Sequence, residues 1–243
     1  MKVSTIIVAG GKGIRISTAS TEVGYPEGEG EADSYKQFLP LAGKPVLVHT
    51  ISAFDVVPLI DEMIVVVPAE KVNYCRSLIK KYKIKKVAGI IPGGKFRQDS
   101  VYNGLLKIGR KKPDAVLIHD GVRPLITSAL IQKCIENIRK VGAVILAVPV
   151  KETIKLARKS FVEKTLERSR LWSVQTPQCF NYDLILKAHK EAKTDGFLGS
   201  DDASLVERLG LPVKVEMGSY ENIKITTPED FILAQEIIKR RGA

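Results

Sequence analysis

Lys2-Val-Ser-Thr-Ile-Ile-Val-Ala9 runs directly into Gly10-Gly11-Lys12-Gly13-Ile14-Arg15. A run of β-branched and apolar residues reads as a buried strand. The three glycines and two cations that follow make a corner in which backbone N–H groups can approach an oxyanion while side-chain charge neutralises it. A tight turn with solvated charges would use the same residues, so the meaning of the corner depends on what the chain folds around it.

Outward from this junction the chain alternates strand and helix. A loop reaches about Phe38, and a helix is predicted over Val46–Val57, followed by the strand Glu62-Met-Ile-Val-Val-Val-Pro68. Next come a helix from Glu70 to Tyr82, a strand from Lys86 to Ile91, a helix from Asp99 to Gly109 and the strand Ala115-Val-Leu-Ile-His119. Helix Ser128–Lys140 then leads to strand Gly142–Val148. Continuous apolar strands separated by helix-length segments predict an α/β fold, a doubly wound and mostly parallel sheet covered on both faces. In such sheets ligands sit beyond the carboxyl ends of the strands. That brings together the loops 10–15, 92–97 and 120–124.

Two familiar nucleotide motifs are excluded. Gly89 and Gly94-Lys95 have the spacing of a P-loop, but Phe96 stands where a hydroxyl must hold magnesium. The opening turn has Ile16 where the dinucleotide fingerprint needs its third glycine. The third loop, His119-Asp120-Gly121-Val122-Arg123-Pro124, puts a carboxylate and a guanidinium on one turn. Asp120 could hold a metal–triphosphate or orient a hydroxyl, Arg123 could clamp a phosphate, and the pair could equally do no more than tie the turn. His119 reads as a packed strand-end histidine rather than a base.

The chain has 243 residues, 44% of them hydrophobic, which suits a single domain. Its net charge of +11 is concentrated in lysines such as Lys80, Lys81, Lys83, Lys85 and Lys86. No aromatic residues alternate with them, so they read as a solvated helical face and no nucleic-acid partner is expected. Cys75, Cys134 and Cys179 are far apart and read as reduced core residues. No apolar run approaches the length that spans a bilayer, and the first strand begins without a leader. A cytoplasmic protein with no membrane partner is therefore expected.

The residues also carry a family resemblance. Ala9 to Arg15, Lys36-Gln37-Phe38, Arg97 with Asp99-Ser100-Val101, His119 to Pro124 and Thr153-Ile154-Lys155 recur in order. So do Leu171-Trp172, Gln175-Thr176-Pro177-Gln178, Asp201-Asp202-Ala203-Ser204, Asn222-Ile223-Lys224-Ile225-Thr226 and Pro228-Glu229-Asp230. Together they resemble the 2-C-methyl-D-erythritol 4-phosphate cytidylyltransferases over nearly the whole chain. The ribitol 5-phosphate cytidylyltransferases share much of the pattern, and the residues leave the choice between the two alcohols open.

The resemblance implies a Rossmann-like nucleotidyltransferase that uses CTP, magnesium and a polyol phosphate. It assigns transition-state stabilisation to Arg15, Lys36 and Lys224, and nucleotide binding to Ala9, Gly10, Gly11, Gly13, Gly94, Ser100 and Asp120. The alcohol phosphate would meet Asp120, Arg123, Thr153 and Arg168, with Asp120 as a candidate metal contact. Lys151–Leu156 and Phe161–Arg168 read as a two-stranded ribbon too small to be stable alone. The resemblance makes this a projecting β-arm at about 150–170 that embraces a second subunit, giving a homodimer with shared sites. Lys224 is expected on a strand whose alternation places Asn222, Lys224 and Thr226 on one face. Asp201 and Asp202 read equally as helix caps or as site residues. A non-catalytic nucleotide- or RNA-binding protein is the rival class, and the three cations weigh against it.

Several positions depart from the family. Tyr35 stands where a proline usually precedes the lysine, Gly121 replaces an alanine, Glu152 an aspartate and Ser200 a threonine. The loop at about 17–35 is long, with Glu22, Glu27, Glu29, Glu31 and Asp33 and no Lys or Arg. A loop of this composition is expected to be mobile without ligand and to turn its acids away from a triphosphate.

Overall fold

A computed structural model of the chain describes residues 1–11 and 35–242. The expectations for Gly13, Arg15 and the acidic segment at 17–34 lie outside the described residues.

The opening strand forms as read. β1 (Val3–Val8) pairs in parallel with both β4 (Glu62–Val67) and β6 (Ala115–Asp120), so it is central to the sheet. Between β1 and β4 come the short hairpin β2 (Pro40–Leu41) and β3 (Lys44–Pro45) and the helix α1 (Val46–Asp55). The helix α2 (Val72–Lys81), the strand β5 (Val87–Pro92) and the helix α3 (Arg97–Ile108) precede β6. Then follow α4 (Ser128–Val141), β7 (Ala143–Pro149), the ribbon β8 (Lys155–Arg158) with β9 (Phe161–Thr165), and β10 (Trp172–Asn181). The chain ends with α5 (Tyr182–Thr194), α6 (Asp202–Arg208), β11 (Lys214–Met217) and α7 (Pro228–Gly242).

The seven-stranded sheet has the order β11-β7-β10-β6-β1-β4-β5. Its side chains divide between the two faces with period two. Val3 and Ile7 of β1, with Met63, Val65 and Val67 of β4, pack under Leu47, Ile51 and Phe54 of α1 and Ile131 and Ile135 of α4. Ile6, Ile64 and Val66 face the other way, against Val101 and Leu105 of α3 and Ile185 of α5. β1 and β4 thus bury apolar residues on both sides, as the interior of a doubly wound sheet requires. A third cluster, with Leu41, Val46, Leu125, Ile225, Phe231 and Ile237, seats α7 beside the hairpin.

Two elements differ from the sequence expectation. The stretch 172–181, which appeared in the sequence only through its motif residues and outside the strand–helix alternation, is one strand that enters the sheet antiparallel between β6 and β7. Its pairing with β7 shifts between Val174 and Gln178, around Pro177, which has no N–H to give to a ladder. Residues 222–226 are not a strand at all. They form an irregular segment fixed by Ile225 N–H donating to Val122 O at 2.9 Å and by Arg123 Nη1 donating to Asn222 O at 2.8 Å. The expected split of side chains holds in part: Ile225 enters the core and Asn222 and Lys224 serve the loop cluster at the strand ends, while Thr226 turns to Asp230 at the start of α7.

Candidate active site

Asp120 closes β6 at the sheet's carboxyl edge and is nearly inaccessible to water. An isolated carboxylate there would be costly, and three cations compensate it. Arg97 Nε lies 3.0 Å from Oδ1, Lys224 Nζ 2.9 Å from Oδ2 and Arg123 Nε 3.6 Å from Oδ2. Burial alone would push the Asp120 carboxyl up, but the charges of Arg97, Lys224 and Arg123 outweigh it and hold the group well below the usual carboxylate range. The three cations come from three separate segments, so the carboxylate gathers the site as well as charging it.

Behind Asp120 lies a second buried carboxylate. Asp202 Oδ2 accepts from Arg97 Nη1 at 2.8 Å, and its Oδ1 lies 3.1 Å from His189 Nε2. Arg97 therefore bridges Asp120 and Asp202. Burial would raise Asp202 too, and Arg97 and His189 instead hold it low. The two readings of Asp201 and Asp202 separate here: Asp201 caps α6, accepting from Ser204 N at 2.9 Å, while Asp202 is turned inward to Arg97. Gln178 supports both, with Nε2 donating to Asp201 Oδ2 and Oε1 accepting from the Asp202 and Ala203 amides.

His119 is packed, as expected for a strand-end histidine. Its ring is fully buried against Phe54, with centroids 4.8 Å apart. Nε2 lies 3.2 Å from Arg123 O, which can only accept, so Nε2 carries the proton. Nδ1 then accepts from the Thr176 hydroxyl at 3.0 Å, and Thr176 Oγ1 in turn accepts the Asp120 amide at 3.0 Å. Burial depresses the imidazole to about 3. It is a neutral strut with both nitrogens engaged.

Arg97, Asp120, Arg123, Gln175, Thr176 and Lys224 line a cavity of about 320 Å³, closed on one side by Gln178, Ser200 and Asp201. The break in β10 places Gln175 and Thr176 there. Asn222, fully buried, donates to Thr176 O at 2.8 Å and so ties the Lys224 segment to that strand.

The glycine corner lies alongside. Ala9 N–H donates to Val66 O at 2.7 Å, and Gln37 Nε2 donates to Ala9 O at 2.7 Å and Gly11 O at 3.1 Å. Gly121 N–H donates to Val8 O at 2.8 Å, and a Cβ on Gly121 would come within 2.7 Å of the Ala9 Cβ. Glycine at 121 thus lets the first and third loops meet closely here. The second loop joins through Gly93, where a Cβ would meet the Gly10 Cα at 3.3 Å. Gly94 N–H donates to Ser100 Oγ at 3.0 Å, and that hydroxyl donates to Phe96 O at 3.2 Å, so Ser100 closes the turn that carries Gly94. The described start of the first loop, at Ala9 and Gly10, thus meets the other two loops at the strand ends.

Thr153 and Arg168 are not brought to this cavity. Both are exposed at the base of the ribbon, where Arg168 Nη1 donates to Lys151 O at 2.9 Å. Lys36 stands in a single helical turn, Lys36–Phe38, beside the glycine corner. Arg97, Asp202, Gln178 and Asn222 carry the site's architecture; the sequence presented Arg97 and Gln178 only as motif members, Asp202 as a cap or a site residue, and Asn222 only as sharing a face with Lys224.

A family model described as IspD, 2-C-methyl-D-erythritol 4-phosphate cytidylyltransferase, matches residues 3–240. The chain is 44% identical over 241 residues to the protein of that name from Geotalea uraniireducens, covering 98% of this chain and 97% of that one. It is 45% identical over 244 residues to the one from Pelotomaculum thermopropionicum, covering 99% and 95%. The crystal structure of 4-diphosphocytidyl-2C-methyl-D-erythritol synthase from Anaerococcus prevotii is similar with a TM-score of 0.81 at 31% identity, covering 98% of this chain and 99% of that one.

Proposed function

The chain belongs to the 2-C-methyl-D-erythritol 4-phosphate cytidylyltransferase family, and from that premise we propose how its residues divide the work. Its activity is transfer of a cytidylyl group from CTP to methylerythritol phosphate with release of pyrophosphate, in isoprenoid precursor biosynthesis. The observation that carries the residue assignment is the gathering of Arg97, Arg123 and Lys224 on Asp120 at the carboxyl edge of the sheet.

A phosphate monoester has its second pKa near 6 and is largely dianionic at pH 7. Its oxygen attacks the α-phosphorus of CTP, a new P–O bond forms, and the bond to the β-phosphate breaks with the electron pair leaving on pyrophosphate. No proton has to be removed, so the neutral, fully engaged His119 is no obstacle. What the reaction needs is positive charge where negative charge gathers. Lys224 and Arg123, held ready by Asp120, turn to the incoming phosphate and to the phosphorus under attack. Lys36 and Arg15 take the triphosphate side, with the backbone of Ala9, Gly10, Gly11 and Gly13. Gly94, on the turn closed by Ser100, reads cytosine through its backbone, where an unmatched uracil would leave a buried group unpaired. Asp120 also faces the alcohol.

Magnesium would come with CTP as part of the substrate and would supply positive charge to the triphosphate. Among the described residues no group of three or more His, Cys, Asp or Glu side chains could hold a metal. A divalent ion on Asp120 would face three cations at close range, so Asp120 does not fit as a resident magnesium ligand. Its reading as a metal contact gives way to that of a charge anchor.

Thr153 and Arg168 complete the alcohol-phosphate site of a second subunit. The arm supports this: Leu156, Phe161 and Val162 are 44%, 79% and 61% exposed in a ribbon without core of its own. The active form is a homodimer with shared sites. Three free, buried cysteines fit a cytoplasmic setting, and no helix among the described residues is long and apolar enough to cross a membrane.

Following the nucleotide by phosphorus NMR with MgCTP and methylerythritol phosphate tests the reading. A diphosphate diester and pyrophosphate in equal amounts are expected. CTP left intact would overturn it.

A further inference from the structure

Lys36 sits between two anchored neighbours. On its amino side, Tyr35 is 6% exposed and its hydroxyl donates to the Glu70 carboxylate, beyond β4. The Lys71 ammonium stands 5.2 Å from the Tyr35 ring, and Phe38 meets Tyr35 edge-on at 6.3 Å before meeting Tyr74 of α2 at 5.3 Å. On the carboxyl side, Gln37 is 1% exposed, and its amide donates to two carbonyls of the glycine corner, Ala9 O and Gly11 O. A glutamine buried to satisfy two backbone oxygens of another segment is a structural tie rather than a solvated side chain.

The two ties pull from different sides. Gln37 sets the distance from the turn to the glycine corner, and Tyr35 fixes the turn to the ledge before α2. Tyr35 has φ −60°, a value that proline would impose covalently. Here the same backbone angle is held by a hydroxyl, a carboxylate and packed rings. A long lysine side chain loses much rotamer freedom when it engages an anion, so a backbone already fixed in place lowers the cost.

We propose that Tyr35 and Gln37 are positioning residues for Lys36, locking its backbone against the glycine corner so that its ammonium meets the triphosphate. The proposal rests on the reading of Lys36 given above. Neither side chain touches the reacting atoms; both act through the turn.

A double-mutant cycle tests it. Tyr35→Phe and Gln37→Met are each expected to lower kcat/KM for CTP by about tenfold or more, a misplacement effect, while circular dichroism and the dissociation constant for the alcohol phosphate stay unchanged. In a Lys36→Ala background Tyr35→Phe should cost less than about twofold, because the group it positions is gone. Tyr35→Pro, which restores φ covalently, should recover most of the Tyr35→Phe loss. Equal losses in both backgrounds, or full activity of both single variants beside a crippled Lys36→Ala, would overturn the proposal and leave the catalytic reading standing. Full activity of Lys36→Ala would overturn the reading of Lys36 and this inference with it.

Discussion

Lys224 Nζ stands 2.9 Å from Asp120 Oδ2, on a segment that belongs to no strand or helix. The lysine is 39% exposed at its side chain and the aspartate 7%, so the pair spans the boundary between core and cavity. Asp120 thus holds a partly exposed cation at the edge of the cavity, and on the function proposed above an anionic substrate would take over the aspartate's half of the pair.

Lys224→Met should keep the fold and lose turnover by about 10²–10³-fold, the size seen when one donor to a developing oxyanion is removed. Asp120→Asn removes the partner of three cations, so it should cost roughly 3 kcal/mol of stability as well as activity. Denaturant melts beside steady-state rates separate the two outcomes: Lys224→Met unfolds near the wild-type midpoint, Asp120→Asn well below it.

His119 predicts the acid limb of stability. Its folded value of about 3 lies below the 6.5 of the unfolded chain. Between those values the unfolded chain takes up a proton that the folded protein refuses, so stability falls as pH falls, by about 1.4 kcal/mol per unit. Asp120 and Asp202 are shifted down as well; their contribution is present above about pH 4 and is lost below it. His119→Asn should flatten the slope between pH 6.5 and 4 while leaving the steeper fall below pH 4. An unchanged slope in the variant would mean that His119 is not the group responsible.

The thiols should be silent in the native protein. Burial pushes Cys75 up to about 12 and raises Cys179 as well, and all three cysteines are fully covered. A disulfide reagent at pH 8 should label them only as fast as the protein unfolds, and rapid native labelling of any of them would contradict the packing described.

The arm makes the fourth prediction. Phe161→Glu places a charge where the ribbon should meet a partner subunit, so the variant should run as a monomer on light scattering. It should also lose activity by tenfold or more, because Thr153 and Arg168 would no longer reach a second site. A dimeric, fully active variant would exclude the arm as the shared element.

Five strands of the sheet, β1, β4, β5, β6 and β7, were legible in the sequence because they are apolar runs and the helices between them amphipathic, patterns with distinct periods, whereas the short, exposed β11 gave no such signal. Nor was β10 legible, since an antiparallel strand interrupted at Pro177 has neither a clean alternation nor a continuous run. Lys224 was found as a residue and misplaced as an element: the alternation of Ile223 and Ile225 reports which side faces the core, not whether a ladder forms. The ties through Arg97, Asp202 and Gln37 depend on which loops meet, and that is a property of topology. Thr153 and Arg168 could not be placed by one chain at all, because their proposed partner is a second copy.

The measurement that bears most directly on the whole account is pyrophosphate release from MgCTP with methylerythritol phosphate, with ribitol 5-phosphate and with neither, in wild-type protein and Lys224→Met. Release with methylerythritol phosphate alone, lost in the variant, is the expected result. Release only with ribitol 5-phosphate, or equal release from the variant, would contradict the assigned alcohol in the first case and the assigned cation in the second.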